Sequence, residues 1–337
     1  MLPVLAFQGV NVSQSWTLIL ECQGTGLTLG ALFFLATLWF RSWRWKYLLA
    51  AQQSVPLRSC VSATCVGYLA NNILPFRLGD LVRVGALRQL ENASAAKVLG
   101  TVAVERILDI LTLVFFLGGY LAFASAGPHQ TELMTAGLLG LGGALFLSAV
   151  MVVGYWRRRW LQKLFSAPAR WVSSRIGDKV SDLVGHFLEG LQVFASAGQV
   201  VRTIVLTICL WAAAVGSYFF VGQSLRLDVP LQDFVVVVFT TAFGAIIPAA
   251  PGAVGTFHSF AWMGLYLVAM HSGEKALAFA ALLHAMEWLL LNATGLWFLW
   301  RDRLHLTTAA GQREGDTDAT KALAGRESRP APNPQPV

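Results

Sequence analysis

The chain has 337 residues, of which 55% are hydrophobic and 13% charged, with a net charge of +7 and a mean hydropathy of +0.58. A soluble domain carries about 25% charged residues, so this composition excludes an ordinary soluble enzyme and points to an integral membrane protein. The basic excess is spread over short loops, where it reports membrane topology rather than a nucleic-acid footprint.

Residues 1–25 are mixed. Met1–Phe7 is apolar but too short to span, and it lacks the basic start of a signal peptide. The segment reads as the remnant of a spanning helix. Gly26–Phe40 is a true apolar run that meets Arg41, Arg44 and Lys46 interleaved with Trp39, Trp43 and Trp45. Aromatics beside cations mark an interface, and the cations place it on the cytoplasmic side.

Residues 57–74 are apolar but are stopped by Asn71-Asn72-Ile73-Leu74-Pro75-Phe76-Arg77-Leu78-Gly79-Asp80, with Arg83 following. Proline removes a backbone donor and ends a helix, and glycine lets the chain reverse. Leu81–Leu90 carries Arg83 and Arg88, so the simplest geometry is a re-entrant hairpin entered from the cytoplasmic side and turning at Pro75–Gly79. Non-helical backbone at that depth must be buried by protein or reached by water.

Val98–Phe123 is long enough to span. It carries Glu105, Arg106 and Asp109, of which Glu105 and Asp109 are four apart and share a helix face. Gly127-Pro128 lies in a loop without Lys or Arg, placed outside. Leu133–Tyr155 spans back to a basic stretch with Arg157, Arg158, Arg159, Lys163, Arg170, Arg175 and Lys179. Within this linker, 157–202, the residues Val180, Leu183, Val184, Phe187, Leu188 and Leu191 fall at helical spacing. That predicts an amphipathic helix against the membrane or the bundle.

Ile204–Val221 spans outward. Phe234–Ile247 is a short apolar run stopped by Gly244-Ala245-Ile246-Ile247-Pro248-Ala249-Ala250-Pro251-Gly252-Ala253-Val254-Gly255-Thr256. Phe257–Met270 follows, and Ala276–Trp300 spans again with His284 and Glu287 in its interior. Arg301 and Arg303 put its end inside. Residues 304–337 are a tail rich in Ala, Gly, Thr and Pro that has no periodicity to bury a core; it is expected to be disordered and cytoplasmic. Cys22, Cys60, Cys65 and Cys209 show no metal spacing and read as small buried hydrophobes.

Both helix breaks read Ile, then Leu or Ile, then Pro, three residues, then Gly. The expected fold is therefore an all-α polytopic helix bundle with two re-entrant half-helix hairpins in an inverted repeat, approximately 26–125 against 203–300, within a membrane domain of 26–303. Broken helices in corresponding halves point to a binding site near the bilayer midplane. The turn residues are Asn72, Pro75, Gly79, Pro248, Pro251, Gly252 and Gly255.

Each second half-helix starts near mid-depth with free N–H groups, an end that favours anions. Arg77 and Arg83, oriented by Asp80, are candidates to hold a lipid phosphate, with Thr256 and His258 in the corresponding place of the second hairpin. Glu105, Asp109 and Glu287 can meet a cationic head group or carry a proton. Arg77–Asp80 and Glu105–Arg106 read equally as structural ion pairs bracing a broken helix, and His258 and His284 as packed histidines. A charge at the bilayer centre costs about 2.5–3.5 kcal/mol or more, so these groups need partners or a cavity. No nucleophile–base pair, zinc-protease or phosphate-loop motif occurs, and nothing calls for a metal or cofactor.

The run NNILPFRLGD-LVR, then ERILD, then IIPAAPGAVGTF resembles the flippase-like family known from the membrane half of lysylphosphatidylglycerol synthases, over about 26–303. The resemblance implies movement of a phospholipid or lipid-linked head group across the cell membrane. Aminoacyl transfer in the bifunctional relatives belongs to a separate soluble domain, which the residues after the last span are too few to form. The expected partners are the lipid substrate and a separately encoded lipid-modifying transferase, with no nucleic acid. A membrane enzyme and an accessory subunit of envelope-lipid modification remain the alternatives.

Overall fold

The computed structural model describes residues 10–50, 53–74, 78–123, 130–157, 197–245, 251–269 and 273–306, with isolated positions between 166 and 185. Among them there is helix and no strand. The α-helices are α1 (Val12–Leu20), α2 (Gly24–Leu49), α3 (Leu57–Ile73), α4 (Gly79–Glu91), α5 (Ala95–Phe123), α6 (Gln130–Trp156), α7 (Ala197–Ser224), α8 (Phe234–Gly244), α9 (Thr256–Ala269) and α10 (Gly273–Arg301). Three of them, α2, α7 and α10, are both long and apolar enough to cross a membrane. Large apolar side chains such as Phe115, Phe123, Phe146 and Trp300 stand exposed on the outside, as a lipid-facing surface requires.

The chain departs from expectation at α2. The apolar run ends at Phe40, but the helix continues through Arg41 and Arg44 to Leu49. Both arginines are buried, so they do not mark an interface. Their partners lie far along the chain, and local composition holds no trace of them.

Helices α2 and α7 form the closest pair, packed antiparallel. Gly26 and Gly30, spaced four apart, let the backbones meet: a side chain at Gly26 would strike the Phe220 carbonyl, and one at Gly30 would strike Val221. Small residues at this spacing are how helices approach closely in a membrane. The Ser217 hydroxyl donates to the Gly30 carbonyl at 2.9 Å and closes the contact.

Helices α3 and α4 form one hairpin. Leu74 already has extended backbone (φ −88°, ψ 143°), the conformation forced on a residue before proline. Across the turn, the Gly79 N–H donates to Asn71 Oδ1 at 2.8 Å, so α3 caps the start of α4. Gly79 sits against the Gly67 carbonyl with no room for a methyl group. Gly79→Ala is expected to cost about 1–3 kcal/mol through overpacking, read as a lower melting temperature in detergent; unchanged melting would refute the close approach.

Helices α8 and α9 form a second hairpin, with a 3-10 turn at Pro251–Ala253 before α9. There Gly252 (φ +69°), Ala253 (φ +55°) and Gly255 (φ +88°) lie in the left-handed region, which glycine enters without steric penalty. One apolar core joins α7, α8, α9 and α10. A second joins the end of α2 to the α3–α4 hairpin. Of the linker positions expected to form an amphipathic helix, Val184 packs on this second core; Val180, Leu183, Phe187, Leu188 and Leu191 lie outside the described residues, as does the tail from Thr307.

Candidate binding site

Two carboxylates and three guanidiniums of the bundle are gathered into one buried network. Glu105, fully buried on α5, receives three guanidiniums: Arg83 Nη1 at 3.0 Å, Arg44 Nη2 at 3.0 Å and Arg41 Nη1 at 3.1 Å. Asp109, one turn later, accepts from Arg44 Nη1 at 2.6 Å, Arg41 Nη1 at 3.0 Å and the Trp211 indole N–H at 3.2 Å. Arg44 also donates to Thr207 at 3.3 Å. Arg83 lies over the Trp45 ring at 3.6 Å, and the Trp45 indole N–H donates to Thr101 at 3.0 Å. Helices α2, α4, α5 and α7 are thus tied together by charge-assisted bonds, the strong class of hydrogen bond. The Arg83 side chain is held between two partners, the Glu105 carboxylate on α5 and the Trp45 ring on α2.

Beside this network lies a cavity of about 240 Å³. Residues of α2, α3, α7, α8, α9 and α10 line it, together with the turn between the second hairpin's helices. Its polar groups include Arg41, Tyr68, Asn71, Asn72, Tyr218, Thr241, His284 and Glu287, and its apolar wall includes Phe34, Leu210, Trp211 and Phe257. A mostly apolar pocket with a few convergent polar groups is the usual form of a small-ligand site. The two hairpins meet here: a methyl group on Gly252 would come within 3.8 Å of the Asn72 carbonyl.

The structure sorts the residues singled out from sequence. Arg83 is committed to Glu105. Asp80 bonds Arg106 at 2.9 Å, both partly exposed, and does not orient Arg83. Glu105 and Asp109 carry the network, and the expected Glu105–Arg106 pair is replaced by contact of Arg106 with Asp80 and, at 3.8 Å, with Asp109. Asn72, Gly252, His284 and Glu287 line the cavity. Thr256 donates to the Ala253 carbonyl at 3.0 Å, and His258 Nδ1 accepts from the Gly255 N–H at 3.4 Å. Both therefore brace the turn and do not reach the cavity lining. His284 Nε2 donates to the Gly252 carbonyl at 2.8 Å, with its ring stacked on Phe257 and edge-on to His258. The two histidines are packed turn supports. Pro251 opens the 3-10 turn, while Arg77, Pro75 and Pro248 lie outside the described residues. The described residues hold no cluster of metal-ligating groups.

Sequence reasoning missed Arg41, Arg44, Tyr68, Asn71, Trp211, Tyr218 and Thr241. A signal for the first two was present. Arg41 and Arg44 are three apart on one helix, and Glu105 and Asp109 are four apart on another, so two faces of opposite charge recur at one helical turn.

The lysylphosphatidylglycerol synthase transmembrane region matches residues 1–295. The chain belongs to this family. Its relatives include Glycosyltransferase AglD of Haloferax volcanii, 23% identical over 291 residues. That match takes in 78% of this chain but 46% of the relative, so the chain spans about half of that protein. UPF0104 membrane proteins are also similar: one from Pyrococcus horikoshii is 22% identical, with 63% of this chain and 68% of the relative covered. Another from Methanocaldococcus jannaschii is 23% identical, with 63% and 84% covered. No solved structure matches the chain. It is a helical membrane protein of this family.

Proposed function

We propose that the chain is a flippase-like transporter that moves a phospholipid or lipid-linked head group across the cell membrane through the cavity between the two hairpins. The observation that carries this reading is the cavity itself, lined from both halves of the chain by charged, hydroxyl and amide groups within an apolar bundle. In this reading the hairpins are re-entrant and the halves form an inverted repeat. The lengths support it: α3, α4, α8 and α9 have 17, 13, 11 and 14 residues. At about 1.5 Å per residue each is shorter than a hydrocarbon core of about 30 Å. The antiparallel pairing of α2 with α7, the first helix of each half, fits the same symmetry.

Reconstituted into liposomes with defined fluorescent lipids, the purified chain should equilibrate lipid between leaflets. Movement at the protein-free background would overturn the reading. Topology gives a separate check. Cysteines placed at Gly127 and Arg226 should react with an impermeant label from outside, and those at Lys46, Lys163 and Arg303 only after permeabilisation. External reactivity at 303 would sink the double re-entrant arrangement.

The similarity to a protein named a glycosyltransferase favours a second reading, a membrane enzyme or accessory subunit of envelope-lipid modification that handles a lipid-linked acceptor. A modified lipid product formed by the purified chain would select the enzyme.

A further inference from the structure

The network beside the cavity is not charge-balanced. Arg41, Arg44 and Arg83 face two carboxylates, Glu105 and Asp109, and the Asp80–Arg106 pair adds no net charge. The network itself therefore carries one positive charge without an ion-pair partner, and Glu287 is the one acidic group on the cavity wall among the described residues. Of the three guanidiniums, Arg44 and Arg83 are sealed in, and Arg41 lines the cavity. Arg41 bonds both carboxylates through Nη1, and among the described residues its Nε and Nη2 make no hydrogen bond. Two nitrogens of its planar fork, with three N–H groups between them, are therefore left without a partner on a side chain whose guanidinium carbon lies 5.9 and 6.0 Å from the Tyr68 and Trp211 ring centres. Asp109 and Glu105 hold the guanidinium still, which lowers the ordering cost of gripping a ligand.

Glu287 of α10 lines the same cavity and has no ion pair or hydrogen bond among the described residues. His284, one turn earlier, directs Nε2 to the Gly252 carbonyl. In its ionised form Glu287 opposes an anion bound in this space.

We propose that the cavity binds a monoanionic phosphate group through Arg41, and that Glu287, when ionised, weakens this binding by repulsion. The inference rests on the transporter reading for its biological setting, and it moves the phosphate site from the hairpin arginines to α2. A phosphodiester of a lipid head group and free inorganic phosphate share this chemistry.

The test uses the purified full chain in neutral detergent. Binding of phosphatidylglycerol, phosphatidylcholine, diacylglycerol and inorganic phosphate is measured for the native chain and for Arg41→Gln, Glu287→Gln and Arg44→Gln. Phosphatidylglycerol should bind and diacylglycerol should not. Competition by millimolar inorganic phosphate would assign the site to the free ion; no competition assigns it to the lipid phosphodiester, and either result supports an anion site. Arg41→Gln should weaken binding at least about tenfold, the loss of a charge-assisted pair, and should lower the melting temperature less than Arg44→Gln, because Arg41 lines the cavity while Arg44 is fully sealed in the network. Glu287→Gln should tighten binding at a pH where the native carboxylate is ionised. Arg44→Gln, equal in charge change but away from the cavity, should lower the melting temperature and leave affinity nearer native.

Arg41→Gln with native affinity overturns the proposal. So does Glu287→Gln with weaker affinity, or phosphatidylcholine binding more tightly than phosphatidylglycerol, since both would mean that Glu287 attracts a cationic group. Lipid movement that is insensitive to Arg41 overturns this site and leaves the transporter reading standing. Arg41-dependent anion binding by a chain that moves no lipid does the reverse.

Discussion

Glu105→Gln is expected to cost about 3–5 kcal/mol, the loss that follows when one partner of a buried ion cluster is removed. Glu105 is fully buried and receives Arg83, Arg44 and Arg41. Its neutralisation leaves three guanidiniums facing Asp109 alone, and Arg83 loses its ion-pair partner in the network. The observable is thermal unfolding in detergent together with the yield of monodisperse protein. A second substitution separates charge from packing. Glu105→Gln with Arg83→Met restores the native charge sum, so the pair should melt above Glu105→Gln alone. Double-mutant comparison is the suitable measure, because residues in one network do not add. If Glu105→Gln melts like the native chain, the network does not hold the bundle together.

Ala214→Trp is expected to stop lipid movement while leaving the fold intact. Ala214 lines the cavity from α7, on the helix face shared by Leu210, Trp211, Ser217 and Tyr218. An indole there occupies space within a cavity of about 240 Å³, and the glycines of the close α2–α7 contact, Gly26 and Gly30, are left unchanged. The rate of leaflet exchange in liposomes should fall to the protein-free background, with melting close to native. Gly30→Leu is the contrasting variant. Its side chain would collide with Val221 and the Ser217 carbonyl, so it should lose folded protein and not merely movement. Native exchange rates in a folded Ala214→Trp chain would mean that lipid does not pass through this cavity.

Much of the architecture was legible in the chain itself. Proline and glycine act on their own neighbours, so the ends of α3 at Ile73 and of α8 at Gly244 could be read from Pro75 and from the Gly244–Gly255 stretch. Length and apolar content predicted α5, α7 and α10 near their observed bounds, and helical spacing placed Glu105 and Asp109 on one face. Each of these is a local property.

Tertiary structure alone decided what the charges do. Arg41 and Arg44 sit among tryptophans after an apolar run, which is also the pattern of a membrane interface. They turn inward because Glu105 and Asp109, 61 to 68 residues later, arrive on α5. Arg83 was read as a phosphate ligand from its place on α4, but Glu105 and Trp45 occupy it first. Thr256 and His258 flank Phe257, which lines the cavity, but the left-handed turn at Gly252–Gly255 draws their polar atoms back to the main chain. Composition and spacing determine where a helix begins and ends; only the packing of α2, α4, α5 and α7 determines which arginine keeps donors beside a cavity. Electrostatic pairing in a low-dielectric interior acts between residues close in space, whatever their separation along the chain.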